Sequence, residues 1–586
     1  MSLTLRKTFT AALIATSSLL AACSDDNGPT GLGLQAPAGL SVSALSSTRT
    51  QLTFTGSRDD DSYVVERAAG ATGGTFARIG TASAPASGSQ VVYVDSIGLV
   101  AGSDYQYRVA AVRGGQTSGF SASQAVRTLA PGRAQVEISQ DITADRTFYP
   151  DTTYILKGFI HVANGATLTI LPGTTIQGDY ETVGSSLFVL RGAKINAVGT
   201  AAQPIVFTSE RPVGERKPGD WGGLIIVGNA DLNRGGEIEI EGTGTVTGTT
   251  SGTNYPVYYS KGSNPADNSG ELRYVRVEFA GYGPALNEEL NSFTFATVGS
   301  GTKLSYLQAL GGLDDHYEWF GGSVDAKYLV SYEAGDDHFD MSEGFNGRLQ
   351  YLIAFQDTIL PPREAAGSPS SDPQAIENDG CSGTGCTNGF AATPYTQPIV
   401  SNFTLVGTGK TALSASSGGW GMVLRRGTAG YYVNGVIARF ARGGISIRDA
   451  ETFARAGSVA IPDLATADLA IRNVLTAEVN GKPFDDAAAN FRFDLAGNAI
   501  TASTATTASL FTAFPSDATS STTEAAFDWT PAAGSPAATG GLATFTGKLQ
   551  AKAGGVVTGT SFLGAAPPAG SADARWWAGW TKYAQN

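Results

Sequence analysis

Long apolar runs are nearly absent from this chain of 586 residues. One mostly apolar stretch lies near the N-terminus, Phe9 to Leu20. It falls short of the roughly 20 residues a membrane-spanning helix needs. No other segment is apolar enough to span as a helix. Positive charge is also short: 39 Lys and Arg stand against 52 Asp and Glu, a net charge of −13. Phosphate backbones and anionic membrane surfaces are therefore poor partners, and nucleic-acid binding is excluded. Sustained helical periodicity is missing before about residue 450. Cysteine is rare, with 3 in the chain. Two of them, Cys381 and Cys386, close the loop Cys-Ser-Gly-Thr-Gly-Cys. That loop holds no histidine to complete a metal site, and an oxidising compartment makes it a local disulfide. What the chain has instead is 75 Gly, with abundant Thr, Ser, Val and Ala, the composition of short strands and tight turns.

The N-terminus reads as an export signal. Arg6 and Lys7 precede the apolar run, and Leu20-Ala21-Ala22-Cys23 ends it before an abruptly polar Ser24-Asp25-Asp26-Asn27-Gly28-Pro29. Small residues running into a cysteine resemble the bacterial lipobox. That resemblance implies a signal peptide over residues 1–22, lipidation of Cys23, and a flexible tether over 23–35. The partner is then a membrane, reached through lipid, and the location the bacterial outer membrane or cell surface.

Residues 36–129 have the size and alternation of a β-sandwich. Tyr63-Val64-Val65-Glu66-Arg67 and Tyr105-Gln106-Tyr107-Arg108-Val109 alternate along their length. Leu99 to Tyr105 has the form of a tyrosine corner. The segment resembles a fibronectin type III domain, with Phe54 where that family usually has tryptophan. Asp59-Asp60-Asp61 is expected to be a solvated turn rather than a calcium site.

From residue 130 to 586 the pattern is a solenoid. Leu272-Arg273-Tyr274-Val275, Leu304-Ser305-Tyr306-Leu307, Ala326-Lys327-Tyr328-Leu329 and Leu349-Gln350-Tyr351-Leu352 repeat one strand. Their spacing of 22 to 32 residues suits stacked coils. Asp314-Asp315-His316-Tyr317-Glu318 recurs 22 residues later as Asp336-Asp337-His338-Phe339-Asp340. The fold class that follows is all-β, a fibronectin type III sandwich and then a right-handed parallel β-helix. Loop insertions are expected at 229–268, 358–398 and 450–515, with short helices between Asp463 and Glu478. Trp576, Trp577 and Trp580 are expected to cap the last coil, covering an otherwise open strand edge; stacking on carbohydrate is their alternative role.

The chemistry concentrates on the Asp-Asp-His repeat. Equivalent residues of neighbouring coils lie about 4.8 Å apart. Asp314 should therefore stack near Asp336, Asp315 near Asp337, His316 near His338 and Glu318 near Asp340, with Glu343 close behind. Carboxylates so close repel unless cations, protons or hydrogen-bond donors compensate. Four readings stay open: Ca²⁺ on the carboxylates, Zn²⁺ on histidine and aspartate, a carboxylate pair cleaving a glycosidic bond, and hydrogen-bonded capping of the turns. Polygalacturonases share the architecture and carry Asp-Asp. Here Asp336-Asp337 is followed by neither Gly-His-Gly nor Arg-Ile-Lys, so their catalytic residues do not carry over. Lyases of this fold need a basic residue beside the calcium carboxylates, and Arg276 and Arg348 are available. Leu156-Lys157-Gly158, Gly219-Asp220-Trp221-Gly222-Gly223-Leu224, Glu318-Trp319-Phe320-Gly321-Gly322 and Ile376-Glu377-Asn378-Asp379 resemble uncharacterised β-helical lipoproteins and secreted proteins, including a leptospiral outer-membrane lipoprotein. The expected function is non-enzymatic binding of extracellular polysaccharide or another envelope component, with Ca²⁺ as the one cofactor in view. A polysaccharide lyase or hydrolase, and a structural surface component, are the alternatives.

Overall fold

The structure is a computed structural model that describes residues 34–583 apart from 86–88, 131, 133, 245–255, 286–287, 411–418, 458–461, 488–490, 494, 496–499 and 516–521. The signal segment and the lipidation position Cys23 lie outside the described residues. The chain divides into two compact units, before and after Pro131/Gly132.

The first unit is an antiparallel sandwich. One sheet pairs Ala38–Ala44, Thr50–Thr55 and Gln90–Asp95; the other is built on Ser62–Ala69 and Asp104–Arg113. Alternate residues turn inward, so Leu52, Phe54, Tyr63, Val65, Tyr107 and Val109 form its core. Phe54 packs edge-on against Tyr63 with ring centroids 5.0 Å apart. The Tyr105 hydroxyl accepts the Val100 N–H at 2.9 Å, the backward bond of a tyrosine corner. Asp60 is tied to Arg113 and Tyr63, and Asp61 accepts from the Gly114 N–H.

The second unit is a parallel β-helix. One side is a nine-stranded sheet running from Phe159–Val162 through Tyr317–Phe320, Phe339–Ser342 and Ile376–Asp379 to Gly443–Ile447. The other two sides belong to long strands that bend midway. Gly270–Glu278 shows how: its first arm pairs with Lys194–Val198 and its second with Ile205–Ser209. Each bend is one residue in the left-handed region. Tyr274, Tyr306, Tyr328, Tyr351, Asn402, Asn434 and Asn473 occupy it, with φ between 50° and 67°. That conformation costs about 1–2 kcal/mol for an ordinary side chain. Asparagine tolerates it, and the tyrosines offset it by stacking: Tyr274, Tyr306 and Tyr328 lie at successive centroid distances of 4.4 Å. Leu304 faces Ala326 and Ala326 faces Leu349, so the coil length is 22 and then 23 residues. Inside the helix Phe293, Tyr317 and Phe339 form a second stack.

Three expectations need correction. The stretch placed in a loop over 358–398 contains a coil strand, Ile376–Asp379, paired with Phe339–Ser342. The alanine-rich segment expected to be helical contains the strand Leu469–Ala477, because its register against Gly430–Ala438 buries Leu469, Ile471 and Val474. The C-terminal tryptophans do not close the last coil. They lie along the side of the helix, with Trp580 against Tyr274 and Tyr306 and Trp576 against Tyr328. The last coil is covered by Phe453, Phe484, Phe491 and Phe493, which pack on the core of Ile445 and Ile447.

Candidate functional site

In the strands of the nine-stranded sheet, Tyr317, Trp319, Phe339 and Met341 face the core. Period-two alternation therefore turns Glu318 and Asp340 outward. Glu318 is opposite Asp340, and Asp340 is opposite Glu377 on the next coil. The turn entering each strand adds Asp314, Asp315, Asp336 and Asp337. The result is a ladder of carboxylates in three overlapping groups: Asp314 with Asp315 and Asp336, Asp315 with Glu318 and Asp340, and Asp337 with Asp340 and Glu377. Within each group, oxygens lie within 4.8 Å of one another.

Part of this ladder holds the turns. Asp315 Oδ1 accepts the Asp337 N–H at 2.8 Å, and Asp337 Oδ1 accepts the Gln374 N–H. Gln374 Oε1 in turn accepts the Trp420 N–H at 3.0 Å, so one capping bond passes from coil to coil. Asn291, on the preceding coil, gives its Nδ2 to Glu318. Asp336 is hydrogen-bonded to Ser370 and Asp314 to the Asp315 backbone, while Asp340 Oδ1 is a buried oxygen with no donor.

Burial pushes the Asp314, Asp315, Glu318, Asp337 and Glu377 carboxyls well above the usual carboxylate range, and neighbouring carboxylates add to the effect. For the same reasons Asp336 is pushed up to about 7 and Asp340 to about 8. The arrangement is short of positive charge and suits protons or a cation.

The two histidines face a different task. The Gly312 N–H donates to His316 Nε2 at 2.9 Å, so Nδ1 carries the proton and donates to Ser331 Oγ at 2.6 Å. Ser331 then donates to His338 Nδ1 at 2.5 Å, leaving the other His338 nitrogen for Gln356. A side chain at Gly312 would strike the His316 ring, its Cβ lying 2.9 Å from Cδ2. Burial holds both imidazoles neutral, His316 well below its ordinary value and His338 down at about 3. The histidines thus clamp the turn to the strand Asp325–Tyr332, and the donor set that remains is all oxygen. Glu343 is also spoken for: it pairs with Arg234 and accepts the Tyr259 hydroxyl at 2.7 Å.

Neither arginine offered by the sequence reaches the ladder. Arg276 pairs with Glu278, and Arg348 with Asp325. The basic residue beside the carboxylates is Arg425, which bridges Glu377 and Asp379, with Arg426 on Asp379. Burial lowers the Arg425 value, but Asp379 and Glu377 more than restore it, and the guanidinium is held charged. Sequence reasoning missed Glu377 and Asp379 because their coil was read as a loop over 358–398, and Arg425 because its strand, Trp420–Arg425, pairs with that coil from beyond the insertion. It also missed Glu241, pushed up to about 8 by burial and by Glu289 and Glu288. Glu241 follows the hairpin strand Glu237–Glu239, paired with Tyr258–Ser260. That hairpin covers the outer face of the sheet, packing Ile240, Val257 and Tyr259 on Phe188, Ile225 and Val227. Cys381 and Cys386 are disulfide-bonded, and their loop meets the hairpin's approach where Arg234 Nε donates to Thr384 O.

The model of one protein family, described as a pectate-lyase like beta helix domain, matches residues 140–530. No curated protein matches the chain. Among solved structures, a Fn3-like protein from Clostridium thermocellum is similar at 28% identity, over 16% of this chain and 93% of that one, with a TM-score of 0.14. Pectate lyase PelI from Erwinia chrysanthemi is similar at 13% identity, over 59% of this chain and 86% of that one, with a TM-score of 0.13.

Proposed function

The chain belongs to the pectate-lyase-like β-helix domain family, and from that membership we propose that it binds polysaccharide without cleaving it, with Ca²⁺ seated on the carboxylate ladder. The observation that carries the reading is the set of three overlapping carboxylate groups on successive coils, with the donorless Asp340 Oδ1 among them. Ca²⁺ takes 6 to 8 oxygen ligands. Asp314, Asp315, Glu318, Asp336, Asp337, Asp340 and Glu377 would hold it, and positions left over would go to hydroxyl or carboxylate oxygens of the glycan. Zn²⁺ suits the site poorly, since it favours nitrogen and sulfur and His316 has both ring nitrogens engaged. A lyase reading has Arg425 in its favour. Its guanidinium is committed to two carboxylates and stays protonated, which is the wrong state for a general base.

The test is calorimetric titration of the full chain with Ca²⁺ beside Asp340→Asn. Asparagine keeps the shape, and Asp340 caps no turn, so the fold is expected to survive. Wild type should bind saturably and the variant at least tenfold more weakly. Equal binding by both would remove the ladder as the metal site. Incubation with polygalacturonate should release no unsaturated ends.

The export reading belongs to the same proposal. Cys23 would carry the lipid, and the protein would sit on the outer membrane or cell surface, meeting polysaccharide or an envelope protein. No helix among the described residues is long and apolar enough to cross a membrane. Metabolic labelling with a fatty-acid probe in a bacterial host should mark the wild type and leave Cys23→Ser unlabelled. Label retained in that variant would place the anchor elsewhere.

A further inference from the structure

Beside the ladder, between the covering hairpin and the sheet, lies a cavity of 540 Å³. Its walls carry Glu237, Glu239, Glu241 and Glu288, and its aromatic side is Phe320 with Tyr259. None of these four carboxylates has an ion pair within 4.0 Å among the described residues. The one basic residue in the wall, Arg234, is spent on Glu343. The Phe320 and Tyr259 rings stack at 5.4 Å and 30°, and the Tyr259 hydroxyl is pinned by Glu343.

We infer that this cavity receives a primary ammonium group carried on a sugar ring, so that the polysaccharide recognised contains free amino sugars. The inference rests on the polysaccharide-binding reading and names its ligand class. Glu237, Glu239 and Glu288 around one cavity repel a uronate and gain nothing from a neutral sugar, whereas an ammonium group relieves them and draws Glu241, which burial holds toward its protonated form, into ionisation. A bare metal ion has no use for the aromatic side. A sugar does: its C–H face lies on the Phe320 ring while its ammonium meets the carboxylates and the ring's negative face. The cavity is also far larger than one ion requires. Glu241 joins it to the ladder, since its charge bears on both Asp314 and Glu318.

The experiment is calorimetry on the full chain in saturating Ca²⁺, with oligomers of glucosamine, N-acetylglucosamine and galacturonate of equal length. Acetylation removes the charge and keeps the ring. Glucosamine oligomers should bind at least tenfold more tightly than either of the others. Phe320→Ala and Glu241→Gln should each weaken that binding about tenfold, with Glu288→Gln as the second carboxylate variant should Glu241→Gln melt early. Equal affinity for the acetylated oligomer, or no loss in the variants, overturns the inference. The Ca²⁺ titration on the same samples separates the two readings. Intact calcium binding without amine binding removes only the cavity's role, and amine binding without calcium binding removes only the metal. Failure of every oligomer to bind overturns the inference together with the glycan reading on which it rests.

Discussion

In chelator, the full chain is expected to melt at a lower temperature at pH 8 than at pH 5.5, and Ca²⁺ is expected to erase the difference. Asp336 is pushed up to about 7 and Asp340 to about 8, while unfolded aspartates titrate near 3.9. Between those values the folded state holds protons that the unfolded state has released. Stability therefore falls as pH rises through that window, at up to about 1.4 kcal/mol per pH unit for each group. The ladder titrates as a set, so its groups share this slope rather than multiply it. A few kcal/mol in all is a drop of roughly 3–5 °C in a unit of this size. Glu241, Glu289, Asp372, Glu377 and Asp379 act on these two carboxyls and deepen the effect, while Arg425 and Arg426 soften it. Ca²⁺ replaces the protons with a fixed charge, so its stabilisation should be greater at pH 8 than at pH 5.5. Differential scanning calorimetry at the two pH values decides it. Higher stability at pH 8 in chelator would mean that the ladder is already compensated from within the chain and needs no cation.

The ladder could be found in the sequence because its coils keep a constant length. The repeat of Asp314-Asp315-His316 as Asp336-Asp337-His338 marks one turn, and the register of Glu318 against Asp340 follows from it. The next coil was hidden by a long insertion. From Asp340 to its partner Glu377 the chain travels 37 residues, so no period betrays the pairing. Glu241 is further removed still. It enters on a hairpin held by Ile240 and Val257 packing on the sheet's outer face, a docking that no local pattern encodes. The histidines show a third limit. Their spacing announces that they are neighbours on successive coils, and their rings meet edge to face at 5.9 Å. Which nitrogen is spent depends on Ser331, a residue on another side of the coil. Composition misled at Leu469–Ala477, where alanine suggests helix and the parallel register imposes a strand.

The C-terminal tryptophans carry the other large effect, and Trp577→Ala is expected to cost about 3–5 kcal/mol of stability. Coils of a solenoid touch only their neighbours, so such a structure frays from its ends. Here the C-terminal segment runs back along the bent strands and ties several coils together. The Gly564 N–H donates to Asn434 O at 2.8 Å and the Ala565 N–H to Thr404 Oγ1 at 2.9 Å. Farther along, Arg276 Nη1 donates to Trp580 O at 2.8 Å, the Lys582 N–H to Gln308 Oε1 at 2.7 Å, and the Tyr583 hydroxyl to Glu333 at 2.9 Å. Trp577 is fully buried in the centre of this strap, in one cluster with Tyr332, Phe355, Leu563 and Trp580. Its removal leaves a cavity beneath the strap and loosens every coil it crosses. The melting temperature should fall by roughly 3–5 °C, since a unit of this size unfolds with an entropy of about 1 kcal/mol per degree, while glycan and Ca²⁺ binding below the transition stay as in wild type. Lost glycan binding at unchanged stability would give the tryptophans a carbohydrate-stacking role instead. Their burial argues against that, because a ring with both faces packed has none to offer a sugar.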